Sequence, residues 1–119
     1  YVHAEGYPAG EIKHGPLAHI EEGMPVVVIA PRDEHYKKTI SNMQEVISRG
    51  AKVLLITNKS TDEIYSENIW EQIEVDAISD ELIPFLTTIP LQKLAYYSAL
   101  DKGYDIDKPR NLAKSVTVE

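Results

Sequence analysis

Residues 25–57 read PVVVIAPRDEHYKKTISNMQEVISRGAKVLLIT, and this stretch decides the fold class. It opens and closes on short apolar runs rich in β-branched residues, at 25–30 and 52–57. Continuous rather than alternating apolar character is typical of strands buried on both faces, as in a parallel sheet. We therefore predict two neighbouring parallel strands, each covered on both faces.

The residues between these runs have the spacing of a helix. Asp33 is the predicted N-cap and Gly50 the predicted stop after the last turn. The apolar residues recur at spacings of 4, 3 and 4, which places them on one helix face: Tyr36, Ile40, Met43 and Ile47. The stretch thus predicts a β-α-β unit and an α/β fold.

Two further elements are predicted downstream, a strand at residues 72–78 and a long helix at 80–103. Asp80 is the predicted cap of this helix and Gly103 its predicted end, while Pro90 should kink or split it. Its wide apolar face predicts burial against a sheet or a partner subunit: Leu82, Phe85, Leu86, Ile89, Leu94 and Tyr97.

Composition narrows the function classes. The 119 residues carry a net charge of -7 and no cysteine, so a nucleic-acid-binding protein, a thiolate metal site and a cysteine nucleophile are not expected. No apolar run approaches the ~20 residues that a membrane span needs. Three strands are few for a doubly wound sheet, so the first elements of the domain are expected to lie before Tyr1.

Several side chains are candidates for chemistry when the residues alone are considered. His14 precedes a Gly-Pro turn and has a side chain suited to proton transfer, but a surface or capping histidine gives the same pattern. Lys114 can contact a sugar oxygen or attack a carbonyl, yet it also fits a surface lysine. Glu5 and Glu11 are possible general bases, with solvated carboxylates as the default interpretation. No histidine spacing fits a zinc motif, and we predict no metal site.

A phosphate site is also possible at TNKST, residues 57–61, because it follows a predicted strand. The segment has no glycine to let a phosphate approach the backbone, and two acidic residues follow it. A plain connection between elements is therefore the favoured interpretation.

Three segments together carry a family resemblance. The predicted unit is preceded by GEIKHGPLAHI at 10–20 and followed by IPLQKLAYYSALDKGYDIDKP at 89–109 and PRNLAKSVTVE at 109–119. In this combination the chain resembles, over its whole length, the carboxyl-terminal end of the glutamine–fructose-6-phosphate aminotransferase family, within the wider sugar isomerase (SIS) family.

The resemblance implies a partial SIS domain at residues 1–103, with a flavodoxin-like three-layer sandwich and a parallel sheet, and a C-terminal tail at 104–119 that contributes to the active site. It implies a fragment of the enzyme that makes glucosamine 6-phosphate and glutamate from fructose 6-phosphate and glutamine, for UDP-N-acetylglucosamine synthesis. The fragment alone should be inactive.

The resemblance also implies partners and residue roles. The partners are a glutaminase domain and a first SIS domain of the same chain and a second protomer of a homodimer in the cytoplasm, with no cofactor. By the match, His14 transfers protons during ring opening at the neighbouring protomer's site, and Lys114 contacts the open-chain sugar. Ala113 binds substrate and, with Val116, lines the ammonia path.

Two alternatives remain open at this point. A fructosamine-6-phosphate deglycase or deaminase of the SIS family would share the PRNL segment and the tail lysine. A non-catalytic phosphosugar-binding SIS module belongs to a different functional class.

Overall fold

The computed structural model describes residues 1–58, 69–76 and 79–110. Two short 3-10 turns come first, at Ile12–His14 and Pro16–His19, and a third, Asp80–Leu82, leads into the last helix. The remaining elements in chain order are β1 Pro25–Ile29, α1 Tyr36–Ile47, β2 Lys52–Thr57, β3 Ile69–Glu74 and α2 Ile83–Asp101.

The strands form a parallel sheet, which confirms the predicted α/β class and the β-α-β unit. Within the described residues the sheet has three strands in the order β1-β2-β3. β1 pairs with β2 in continuous register, from Pro25 opposite Lys52 to Ile29 opposite Ile56. The β2–β3 pairing is also parallel, with a register irregularity between Val53 and Leu54.

The third strand differs from its predicted position. It covers Ile69–Glu74 rather than 72–78, and residues 77 and 78 lie outside the described part. The prediction started too late because Trp70 and Glu71 look unlike core residues, and both are exposed on the strand. On this strand backbone pairing with β2 outweighs the side-chain pattern.

The core lies between α1 and one face of the sheet. Alternate strand residues point to the same face, and Val53 and Leu55 of β2 are completely buried against the helix side. The α1 residues of this cluster are Met43, Val46 and Ile47, and each is at most 6% exposed. The predicted apolar face of α1 is thus confirmed as the face that builds the core.

The opposite face, which we call the α2 face of the sheet, is covered only in part. Ile56 is completely buried there, but Val27 and Ile29 of β1 are 38% and 40% exposed. The prediction that β1 is covered on both faces is therefore wrong for the described residues. The reason is geometric: β1 is an edge strand here, and the groove beside α2 is lined by β2 and β3 rather than β1.

The predicted end of α1 is confirmed, whereas its predicted start is not. Gly50 has a φ of 90°, its amide donates to Ile47, and the amide of Ala51 donates to Val46, which together form a Schellman motif. At the other end His35 is the N-cap, because the Asp33 carboxylate accepts from the His35 amide at 2.8 Å and closes a separate turn first.

α2 follows the same rules at its end. Gly103 has a φ of 70°, and the amides of Gly103 and Tyr104 donate to Leu100 and Ala99, so the predicted stop is confirmed. Asp80 does not cap α2; it begins the 3-10 turn before the helix. The helix also runs through Pro90 unbroken, so the predicted split does not occur.

Candidate functional site

His14 lies at the junction of two 3-10 turns. It is the last residue of Ile12–His14, and its amide donates to the carbonyl of Glu11 at 3.0 Å. Gly15 follows with a φ of 149° and is the N-cap residue of the next turn, which begins at Pro16. The reversal at Gly15 leaves the His14 side chain exposed.

The two turns are held to the core by the residues around His14. Leu17 belongs to the buried cluster, and Ile12 and Ile20 pack against it. The Lys13 ammonium also forms an ion pair with the Glu45 carboxylate on α1. The backbone at His14 is therefore anchored from both sides.

The His14 imidazole has no hydrogen bond or ion pair with any other described residue. An anchored, solvent-facing imidazole of this kind can exchange a proton with a ligand or a partner that docks against it.

A second cluster lies at the start of the chain and includes one of the candidate bases. The Glu5 carboxylate is 2.8 Å from Nε2 of His3 and accepts a hydrogen bond from the Tyr7 hydroxyl. All three side chains are exposed. A solvated carboxylate was the default interpretation of Glu5, although the alternate spacing of 3, 5 and 7 in an extended segment was a signal that the three side chains could share one side.

The tail candidates lie outside the described residues. These candidates are Ala113, Lys114 and Val116. The last described residue is Arg110, whose backbone carbonyl accepts a hydrogen bond from the Tyr1 hydroxyl at 2.8 Å. Arg110, within the tail, is therefore held to the first residue of the described chain.

An open groove runs between α2 and the α2 face of the sheet, with a volume of about 610 Å³. His14 is not part of it, and its charged lining residues are Glu74, Asp76 and Lys93. The groove is otherwise largely apolar, with these lining residues: Leu54, Ile73, Val75, Leu86, Ile89, Pro90, Leu94 and Tyr97. A mainly apolar lining fits packing of another protein segment better than binding of a sugar phosphate.

The start of the TNKST segment has a structural role. Thr57 and Asn58 are buried, and the Asn58 side-chain oxygen accepts a hydrogen bond from the Arg32 amide at 2.8 Å. This bond ties together the carboxyl ends of β1 and β2. It supports the favoured interpretation of a plain connection at residues 57 and 58, whereas 59–61 lie outside the described residues.

The described ranges give no indication of a metal-holding cluster or of a membrane-spanning helix. No group of three or more His, Asp or Glu side chains there is arranged to hold a metal ion. In the same ranges, neither helix combines the length and the apolar character needed to span a bilayer.

Comparison with known protein families decides the family. The family model of the SIS domain matches residues 1–101, which end with the last residue of α2. The chain belongs to the SIS domain family. This confirms the family predicted from the KHGP segment and the β-α-β unit.

Individual SIS proteins give a more detailed comparison. A glutamine–fructose-6-phosphate aminotransferase (isomerizing) of Brucella abortus biovar 1 (strain 9-941) is 53% identical over 119 residues, which are 100% of this chain and 20% of that protein. The protein of the same name from Aquifex aeolicus (strain VF5) is 52% identical with the same coverage. The chain therefore spans about a fifth of the length of these relatives.

A solved SIS structure agrees with the fold. The C-terminal domain of glucosamine-fructose-6-phosphate aminotransferase from Francisella tularensis superposes with a TM-score of 0.83 and 46% sequence identity. The alignment covers 91% of this chain and 30% of that one. The predicted likeness to the carboxyl-terminal end of this enzyme family is thus confirmed in sequence and in structure.

Proposed function

We propose that this chain is the C-terminal part of an enzyme that converts fructose 6-phosphate and glutamine to glucosamine 6-phosphate and glutamate. The observation that carries the proposal is the identity of 53% across all 119 residues, including the tail, to a protein named for this activity. The alignment includes residues 104–119, which supports the synthase over a deglycase with a looser tail.

The proposed reaction has two halves that balance. Hydrolysis of glutamine elsewhere in the full chain gives glutamate and ammonia. The ammonia adds to the C2 carbonyl of open-chain fructose 6-phosphate, and loss of water gives a ketimine. Transfer of a proton from C1 to C2, together with transfer of the C1 hydroxyl proton to the imine nitrogen, then gives the aldose amine, glucosamine 6-phosphate. This chain belongs to the second, isomerase half.

His14 is the proposed acid and base for opening the sugar ring. Its exposure at an anchored turn supports this role, because the imidazole is free to enter a site completed by another chain. We therefore also propose that the full-length protein is a homodimer in which each His14 serves the neighbouring protomer's site.

The tail has the other proposed roles. In the division we propose, residues 1–103 are the SIS domain and 104–119 the tail. Lys114 contacts the carbonyl region of the open-chain sugar, Ala113 binds the sugar, and Ala113 and Val116 line the route of ammonia. The product would enter the synthesis of UDP-N-acetylglucosamine in the cytoplasm.

The fragment does not contain every part that the proposed reaction needs. Because it spans 20% of its relatives, it must work with a glutaminase domain and a first SIS domain of the full-length chain. The 119-residue chain alone should therefore make no glucosamine 6-phosphate.

The test uses the full-length protein that contains this chain. Incubation with fructose 6-phosphate and ¹⁵N-amide-labelled glutamine should give ¹⁵N-glucosamine 6-phosphate by mass spectrometry. Release of an amine from fructosamine 6-phosphate without such synthesis would instead identify a deglycase. Sugar-phosphate binding without any turnover would identify a non-catalytic module.

A further inference from the structure

Three side chains meet where the tail leaves the domain. The Arg110 guanidinium lies 4.3 Å from the centroid of the Tyr1 ring and 5.6 Å from that of Tyr104. The two tyrosine rings meet edge to face, with centroids 4.7 Å apart and an interplanar angle of 72°. The Tyr1 hydroxyl also donates to the Arg110 carbonyl at 2.8 Å. We call these three residues the tail clasp.

The path from α2 to the clasp is constrained by backbone geometry. The Schellman motif at Gly103 ends α2 and fixes the direction of Tyr104. The Asp105 carboxylate then accepts hydrogen bonds from the amides of Asp107 and Lys108, both at 2.9 Å. Pro109 follows with its restricted φ. Arg110 is thus presented to Tyr1 by two consecutive turns.

The contacts in the clasp complement one another. The hydrogen bond from Tyr1 holds the backbone of residue 110, whereas the ring contact holds its side chain. Tyr1 is 53% exposed, so each contact alone is weak. Together they attach the beginning of the tail to a segment that is 109 residues away in sequence.

We propose that Tyr1 and Arg110 are positioning residues for Lys114, and that the clasp fixes the point from which residues 111–119 extend. The inference rests on the proposed function for its kinetic consequence. Lys114 follows Arg110 by four residues, so its Cα lies within about 14 Å of that anchor. Reaction rates depend steeply on such placement, since a displacement of about 1 Å can cost ~100-fold.

The test compares Arg110→Ala and Tyr1→Phe in the full-length protein. Tyr1→Phe removes the hydrogen bond and keeps the ring contact. The controls are Arg49→Ala, an exposed arginine that donates to the Glu45 carbonyl of α1, and Tyr97→Phe, from an edge-to-face pair with Tyr96 outside the clasp. Arg110→Lys keeps the charge and is the conservative rescue.

The first readout does not depend on activity. Hydrogen–deuterium exchange of a peptide covering 111–119 should become about two- to fivefold faster in Arg110→Ala, as expected for losing an exposed cation–π contact. Tyr1→Phe should give an intermediate increase, and the controls none. Unchanged exchange in both clasp variants would overturn the clasp, whatever the enzyme does.

The second readout is kinetic. In Arg110→Ala, kcat for glucosamine 6-phosphate synthesis should fall about tenfold with a smaller change in the KM for fructose 6-phosphate, and Arg110→Lys should recover part of it. Faster exchange with unchanged kcat would overturn the positioning role. If the wild-type protein makes no glucosamine 6-phosphate while exchange changes as expected, the clasp stands, and the proposed function and the link to Lys114 fail.

Discussion

The amide nitrogen of Gly23 donates a hydrogen bond to the carbonyl oxygen of Gly50, with 2.7 Å between the two atoms. This contact joins the turn before β1 to the turn after α1. Because the turns touch, a β-carbon on Gly50 would lie 2.9 Å from the Cα of Glu22. Gly50 also has a φ of 90°, a value that side chains disfavour. The β-α-β unit therefore closes on a glycine that two independent constraints require.

The first prediction compares Gly50→Ala with Gly103→Ala. Both substitutions place a β-carbon at positive φ, which costs about 1–2 kcal/mol. Only Gly50→Ala adds a clash with backbone, because a β-carbon on Gly103 meets nothing within 4 Å. We expect Gly50→Ala to lower the local free energy of unfolding by about 1–3 kcal/mol more than Gly103→Ala does. Amide exchange of α1 and β1 measures the loss in Gly50→Ala, and amide exchange of α2 measures the loss in Gly103→Ala. Equal losses would show that the turns separate at no cost.

The second prediction concerns the two faces of the sheet. Leu55→Ala removes a completely buried side chain from the α1 core and should cost about 2–5 kcal/mol in the free energy of unfolding. Val27→Ala, on the α2 face and 38% exposed, should cost about 1 kcal/mol. Exchange of the slowest β2 amides measures both. Comparable losses would contradict the partial cover that the structure gives to Val27.

How far the sequence predicts this fold depends on how local each signal is. The stops at Gly50 and Gly103 were predictable because a helix end with a left-handed residue is decided by a few neighbouring residues. The N-cap at His35 was not, since the Asp33 side chain closes a turn that competes with the helix. The exposed side of β1 depends on which elements reach it, and no local pattern contains that information.

The same distinction separates the site residues. The Gly-Pro turn after His14 could be predicted from the sequence, and His14 is exposed in the structure. Tyr1 and Arg110 are 109 positions apart in the sequence, so no pattern of local spacing could predict their contact. Lys114 was a candidate from the residues alone, the family resemblance implied its contact with the sugar, and its placement stays a prediction.

The third prediction concerns the surface of α2. The wide apolar face predicted for this helix remains largely exposed, with Phe85 at 71% and Tyr97 at 61%. Apolar exposure of this size favours association, so the isolated 119-residue chain should self-associate. Sedimentation velocity should show less association for Phe85→Ser and Tyr97→Ser, and no change for Gln92→Ser, an exposed polar position on the same helix. A monodisperse wild-type monomer would contradict this expectation.

The fourth prediction is a titration at the start of α2. A hydrogen bond from its own backbone amide, and a second from the Ser79 side chain, lower the pKa of the exposed Glu81 carboxyl below 4.5. The pKa of Glu81 is therefore lower in the folded than in the unfolded chain. The contribution of its ionised form to folding stability is present above about pH 4.5 and is lost as the pH falls through the pKa of the folded state.

Ser79→Ala should therefore raise the pKa of Glu81 in an NMR titration of its side chain. The rise should be smaller than the one that loss of the backbone bond would cause, because the backbone bond is the larger cause. Ser48→Ala is the control, because the Ser48 hydroxyl donates to the Glu45 carbonyl on α1, and it should leave the Glu81 titration unchanged. A Glu81 titration that Ser79→Ala leaves unmoved would exclude the side-chain bond as a cause.

The fifth prediction tests whether His14 serves the neighbouring protomer. His14→Ala in the full-length enzyme should lower kcat by about 100-fold or more, the usual range for a general acid or base. His19→Ala is the matched control, because His19 is also exposed and ends the neighbouring 3-10 turn. It should leave kcat within about twofold. A similar loss in both variants would point to damage of the turns rather than to chemistry at His14.

Mixing subunits then decides between a shared and a private site. A His14→Ala subunit beside a Lys114→Ala subunit has one site with both groups intact only if His14 crosses to the partner. Random reassembly of equal amounts should then restore about a quarter of wild-type activity, since half of the dimers are mixed and each holds one working site. If each protomer uses its own His14, no mixed dimer has an intact site and activity stays at the level of the two single variants. That outcome would place His14 in its own protomer's site and remove the structural reason for requiring a dimer.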